Sequence, residues 1–349
     1  AGGWEAWKWS RPSEPEAVAP SALRSLRPPA NGPEIPEQPQ TAPSPDAASV
    51  PAPVGEPPVA HPAPERAAAM PPMPRRDFRI ETASEQGVLN HVETEGSEGL
   101  TVFRLRQNSR ILVLDFASLR DQGRMLNRAA ALVEKYGLPH DRLLNDTELD
   151  EAIRSGGDTV ETFYYGHDYG TSSLVRFFQL AEHGNIPLSV QEETLRNLIR
   201  EEGWFEPNAR SGLISIPRVG ADEYVTRRAR ATILHHELSH GEYFTNPAYA
   251  AFVHKFWNHT LTEAERQQVR DHLRSLGYDP SLDEVMENEA QAYLMFTDSP
   301  DFFTPEMFGM TKGRVNELRN GFYRTMPAGW LRDSLGQTLN ANRTISPHP

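Results

Sequence analysis

Between residues 100 and 116 the chain runs LTVFRLRQNSRILVLDF, two short apolar stretches separated by the polar residues Gln107, Asn108 and Ser109. Stretches of that length, rich in β-branched and aromatic side chains and split by turn formers, predict two strands over 101–106 and 110–116. A helix is expected over 119–136, closed by Gly137 and Pro139, and two more over 172–182 and 189–202. The run GLISIP at 212–217 is short, apolar and bounded by turn formers, which predicts a strand. Over 222–246, Val225, Ala229, Thr232, Ile233, His236, His240 and Tyr243 recur at three- and four-residue steps and share one helical face. Pro247 ends that helix, because a residue before proline is pushed out of the helical region. Thr262 with Glu265, and Ser281 with Glu284, form two capping-box patterns that open helices running to Leu276 and to about Thr297. A mixed strand and helix region followed by a mainly helical one predicts an α+β fold.

Composition confines this fold to part of the chain. Nineteen of the thirty prolines lie between Pro12 and Pro74, among Ala, Ser and Glu and few core-forming residues, so residues 1–76 are expected to be a disordered tether. Trp4, Trp7 and Trp9 stand near its start, in a stretch expected to be silent. The folded domain is expected over 77–339, with a flexible tail over 340–349. Nearly all of the net charge of −13 falls on the folded part, a surface that repels nucleic acid and anionic membrane. The sequence has no apolar run long enough to span a bilayer. It also lacks cysteine, so any metal must be held by His, Asp or Glu. The chain begins at Ala1 and leads into the tether, as it would after removal of a signal peptide, and a secreted or periplasmic location is expected.

The helix over 222–246 carries the chemistry. His236, Glu237 and His240 form H-E-x-x-H. Residues four apart stand one turn apart on one helical face, so both imidazoles reach a single zinc ion, with Glu237 beside the water it activates. His235 points about 100° away from His236 and is not expected to be a ligand. Two histidines leave the ion short of a third protein ligand. The long pattern with a further glycine and histidine is excluded, since Tyr243 and Asn246 occupy those places. The segment SLDEVMENEAQAYLMF at 281–296 offers Glu284, Glu287 and Glu289. At 100° per residue, Leu282, Val285, Met286, Ala292, Tyr293 and Phe296 make the buried face, with Glu289 at its centre. Glu287 lies more than 90° away and Glu284 on the solvent side. A carboxylate within an apolar stripe is costly unless paired or metal-bound, which favours Glu289.

H-E-x-x-H on one helix with NEAQAY on a later one resembles the gluzincin group of zinc metallopeptidases, whose third ligand stands in an Asn-Glu-x-x-(small) context, matched by Asn288, Glu289 and Ala292. The likeness covers two short motifs. In thermolysin-like members an aspartate follows the glutamate by one turn; Tyr293 stands there instead. A rival alignment, Glu-x-x-Ala-Asp, would make Glu287 the ligand, with Gln291 at the aspartate position. The resemblance implies one Zn²⁺ per chain held by His236, His240 and Glu289, Glu237 as general base, and hydrolysis of a peptide or protein substrate. It further implies that GLISIP is the edge strand along which substrate lies, with an ordinary sheet strand as the competing reading. Tyr243 is the nearest candidate for an oxyanion donor, with Tyr278, Tyr293, His254 and His259 as others. YYGHDYG, residues 164–170, reads as a polar turn with aromatic anchors or as a substrate loop. Hydrolysis of a non-peptide amide such as a cell-wall crosslink, and a non-catalytic protein with structural zinc, are the competing functions.

Overall fold

In the computed structural model, which describes residues 79–91 and 99–336, the two apolar runs pair as an antiparallel hairpin. Strand β2 (Leu100–Leu105) lies against β3 (Ile111–Phe116), with Phe103 opposite Val113. Strand β1 (Ile80–Ala83) joins parallel to β2, β5 (Gly212–Pro217) parallel to β3, and β4 (His167–Gly170) antiparallel to β5. The sheet order is β1-β2-β3-β5-β4. The expectation that GLISIP forms an edge strand is corrected here: β5 is interior and wholly buried, as suits a continuous apolar run covered on both faces, and β4 takes the edge. The tether expected over 1–76, the tryptophans within it and the tail over 340–349 lie outside the described residues.

The two-residue period of the strands divides the interior. Leu112, Leu114 and Phe116 turn to one side, where they pack with residues of α2 (Leu119–Val133), α4 (Thr171–His183) and α5 (Val190–Glu201). Ile111, Val113, Ile214 and Ile216 turn to the other, against α6 (Arg227–Thr245) and the helices that follow it. Helices α1 (Glu85–Leu89) and α3 (Asp146–Ser155) complete the first half of an α+β fold whose second half is helical. No described helix is long and apolar enough to cross a membrane.

Three helix boundaries depart from expectation, each for a local reason. Helix α2 stops at Val133 because the next residues bond elsewhere: Asp279 N donates to Glu134 O at 2.8 Å, and Tyr136 N donates to Gly277 O at 2.8 Å. Helix α6 begins at Arg227, not at 222, since Val225 N closes a turn onto Asp222 O and Thr226 supplies the cap to Ala229 N. The Ser281–Glu284 capping box does not form. Ser281 donates its N–H and hydroxyl to the Asp279 carboxylate, and α9 (Asp283–Gln291) starts without a side-chain cap. One π turn, Ala292–Phe296, extends α9. Thr262 and Glu265 do make their box, at the head of α8 (Glu263–Ser275).

Pro247 ends α6 as expected and also occupies the first turn of α7 (Pro247–His259), where its missing N–H costs nothing. Asn246 leaves the helical region and accepts from Ala248 N and Tyr249 N. A 3-10 turn, Pro305–Phe308, and α10 (Lys312–Thr325) follow.

Candidate metal centre

Helix α6 crosses the middle of the molecule, with fourteen of its nineteen residues buried. Two glycines let it lie close against the sheet: a Cβ on Gly241 would stand 3.0 Å from Ile111 Cδ1, and one on Gly212 would stand 3.3 Å from Gly241 O. A larger residue at either place would push the H-E-x-x-H turn away from β3 and β5.

His236 and His240 stand one turn apart on this helix with ring centroids 4.8 Å apart, both almost wholly buried. Helix α9 brings Glu289 to them. Glu289 Oε2 is 3.5 Å from His236 Nε2, and Oε1 is 3.7 Å from His240 Nε2. One donor atom from each of the three lies within 4.8 Å of the others.

The ring of His236 is oriented from behind. Thr297 donates its hydroxyl to Ala292 O at 3.0 Å, so that hydroxyl is left to accept from His236 Nδ1 at 2.9 Å. This places the proton on Nδ1 and the lone pair on Nε2, toward Glu289. The Nδ1 of His240 faces Asp168 Oδ1 at 3.7 Å. Burial pushes His236 down to about 4. Burial raises the Glu289 carboxyl, against the opposing pull of His240 and a hydrogen bond from Tyr278.

Glu237 sits beside this triad, its carboxylate lying on the backbone of Gly166, where any Cβ would overlap Oε1. Burial, then the charges of Asp168, Glu289 and Glu134, raise its carboxyl well above the usual range. Both ring nitrogens of His240, Glu237 Oε2 and Glu289 Oε2 are buried with no hydrogen-bond partner in the protein. Buried polar atoms are rarely left so. Two imidazoles and a carboxylate around a shared point are the donor set that zinc accepts, and these orphaned atoms fit such an ion.

Of the other sequence candidates, Tyr278, which bonds Glu289, and Tyr293 stay at the centre, and the rest are placed elsewhere. The Tyr243 hydroxyl donates to Glu287 Oε1 at 2.6 Å, and His254 Nδ1 lies 2.8 Å from Glu287 Oε2, so Glu287 is satisfied away from the histidines. Gln291, the partner of Glu287 in the rival alignment, is tied to Tyr249 and Ser239. The structure thus brings Glu289 to the histidines and leaves Tyr243 and Glu287 outside. His235 pairs with Glu85 at 2.8 Å, and His259 is exposed. Tyr293 stands at the centre: its ring is 4.8 Å from that of His236, and its oxygen, like that of Tyr164, is buried without a hydrogen-bond partner. Burial, then Glu289 and Glu237, push its phenol well above the usual value.

A cleft of about 530 Å³ opens on this centre, lined by Glu289, Glu134, Asp168 of edge strand β4, and residues of α4 and α9. Glu134 and Thr297 were missed from sequence, because each reaches the centre from a different element with no local motif. The run YYGHDYG, which holds Gly166 and Asp168, becomes the edge strand with Tyr164 and Tyr165 buried before it.

Compared with known proteins, the chain matches no family model, no curated protein and no solved structure.

Proposed function

We propose that this chain is a zinc-dependent hydrolase of peptide bonds, of the gluzincin kind its two motifs resemble. The observation that carries the reading is the convergence of His236, His240 and Glu289, with both ring nitrogens of His240 and Oε2 of Glu289 lacking a hydrogen-bond partner, beside the buried carboxylate of Glu237. His236, His240 and Glu289 would hold the ion. Zinc, when bound there, supplies Lewis-acid chemistry toward a water and the scissile carbonyl.

Glu237 accepts the proton of the attacking water and returns it to the leaving amine, a task suited to a carboxyl whose basicity is raised by burial and by neighbouring carboxylates. Gly166 holds that carboxylate by leaving room for it. Tyr293 is the donor for the negative charge that develops on the carbonyl oxygen, since its hydroxyl has no other partner. An extended substrate lies along β4, whose free edge borders the cleft at Asp168.

The test is cleavage of a peptide library by the full chain, with and without a chelator, beside the Glu237→Gln variant. Cleavage should stop with the chelator, and Glu237→Gln should keep its zinc while losing turnover by about a hundredfold or more. Chelator-resistant cleavage, or a Glu237→Gln protein as fast as the parent at equal zinc content, would refute the mechanism.

A further inference from the structure

Four carboxylates gather around the centre: Glu134, Asp168, Glu237 and Glu289. One divalent cation offsets two of the four charges they carry when ionised. Arg176 and His140, which line the cleft, are committed elsewhere. Arg176 donates to His140 O, and His140 sits between Leu132 O at 2.6 Å and Asp279 at 3.2 Å. Lys135, outside the cleft lining, has its Nζ over the rings of Phe163 and Tyr164 at 4.1 and 4.3 Å, from where it exerts a Coulombic pull on Glu134 without a hydrogen bond or salt bridge to it.

Glu134 is the odd member of the group. It is only 6 % exposed, yet it lines the open cleft, and its carboxylate makes no hydrogen bond or ion pair among the described residues. Its position is fixed by main-chain bonds, since the early end of α2 is set by the contacts of residues 134 and 136 with residues 277 and 279. Its carboxylate oxygen, one from Asp168 and one from Glu289 all lie within 4.8 Å of one another. An unpaired buried carboxylate is costly, and one kept at the wall of a binding cleft calls for a positive partner from outside.

We propose that Glu134, with Asp168, forms a subsite for a positively charged nitrogen of the substrate, next to the bond that is cut. The proposal rests on the hydrolase reading above. The nitrogen comes from a lysine or arginine side chain or from a free α-amino group. Leu132, Val133, Phe244, Leu282 and Val285 line the same cleft and suit the methylene stem of a long basic side chain whose head reaches the carboxylates.

The experiment measures binding to the zinc-loaded full-length Glu237→Gln protein, so that peptide is not consumed. Three pentapeptides with a fluorophore at the C-terminus serve as probes: N-acetylated with a central lysine, N-acetylated with glutamine in its place, and the glutamine peptide with a free α-amine. At least one cationic probe should bind about tenfold or more tighter than the neutral one, and the cationic probe that does so identifies the source of the nitrogen. Adding Glu134→Gln should abolish that preference and leave the neutral probe unchanged. Equal binding of all three probes overturns the proposal, as does a preference that survives Glu134→Gln, or a second equivalent of zinc that occupies the pair and excludes the probes. Should Glu134→Gln fail to fold, the three-probe comparison decides alone. Cleavage of the same peptides by the unmutated protein is read separately: preference without cleavage sinks the hydrolase reading and keeps the subsite, and cleavage without preference does the reverse.

Discussion

Asp115 on β3 and Glu289 on α9 are both buried carboxylates, and their surroundings treat them in opposite ways. Asp115 is wholly enclosed and met by the guanidinium groups of Arg230 at 2.7 Å and Arg218 at 3.5 Å and by the imidazole of His91 at 2.6 Å. Burial alone would raise its carboxyl, but the hydrogen bonds from His91 and Arg230 and the charges of Arg230 and Arg218 hold it below the usual range. Around Glu289 the protein gathers further carboxylates and two histidines, and leaves several polar atoms without a partner. A cluster closed by internal arginines is complete as it folds; a cluster of acids and imidazoles with orphaned atoms is what the proposed cation would complete. The contrast separates a structural charge from a functional one more sharply than burial does.

The largest expected effect lies on the structural side. Asp115→Ala would leave Arg230 and Arg218 buried without their counter-ion and should destabilise the fold by about 3–5 kcal/mol. Zinc affinity of the protein that remains folded should not change. A denaturant titration checks the first part, and a midpoint near that of the parent would show that the cluster does not hold β3 to α6.

The next effect separates the two sides by pH. His167, behind the centre, is driven by burial from the ordinary 6.5 to about 3, so it stays neutral in the folded protein while its unfolded form takes up a proton. The stability this supplies is complete above 6.5 and is lost as pH falls from there through about 3. Between pH 7 and pH 5 the metal-free protein should lose about 2 kcal/mol through this residue alone. His167→Gln should flatten that part of the profile, and unchanged acid sensitivity in the variant would contradict the assignment.

The smallest effect compares two glutamates on one helix. Glu287→Ala removes the acceptor of Tyr243 and His254 and should cost about 1–2 kcal/mol without touching the centre. A loss of zinc affinity with stability intact would reverse the roles given to Glu287 and Glu289.

Much of this arrangement is readable from local pattern. The hairpin of β2 and β3, the strand at 212–217, helices α4, α5 and α8, and the inward face shared by His236, His240 and Glu289 all follow from periodicity and capping. The unread parts depend on tertiary contact. Helix α7 hides behind Pro247, which reads as a terminator although proline fits a first helical turn equally well. Its His254, with Tyr243 of α6, covers the side of α9 that the wheel assigned to polar residues, which is why Glu287 is buried as well. Glu134 and Asp168 reach the centre because α2 ends early on contacts with residues 277 and 279, and because β4 pairs with β5 forty-five residues later in the sequence. No window around either residue contains those causes.

The central claim, that the unsatisfied cluster at Glu289 is a cation site while Glu287 is structural, is tested most directly by calorimetric titration of metal-free protein with Zn²⁺. The account predicts close to one equivalent bound by the parent and by Glu287→Ala, with affinity weakened by more than about tenfold in Glu289→Ala. No binding to a folded parent, or binding that Glu289→Ala leaves intact while Glu287→Ala abolishes it, would contradict the claim.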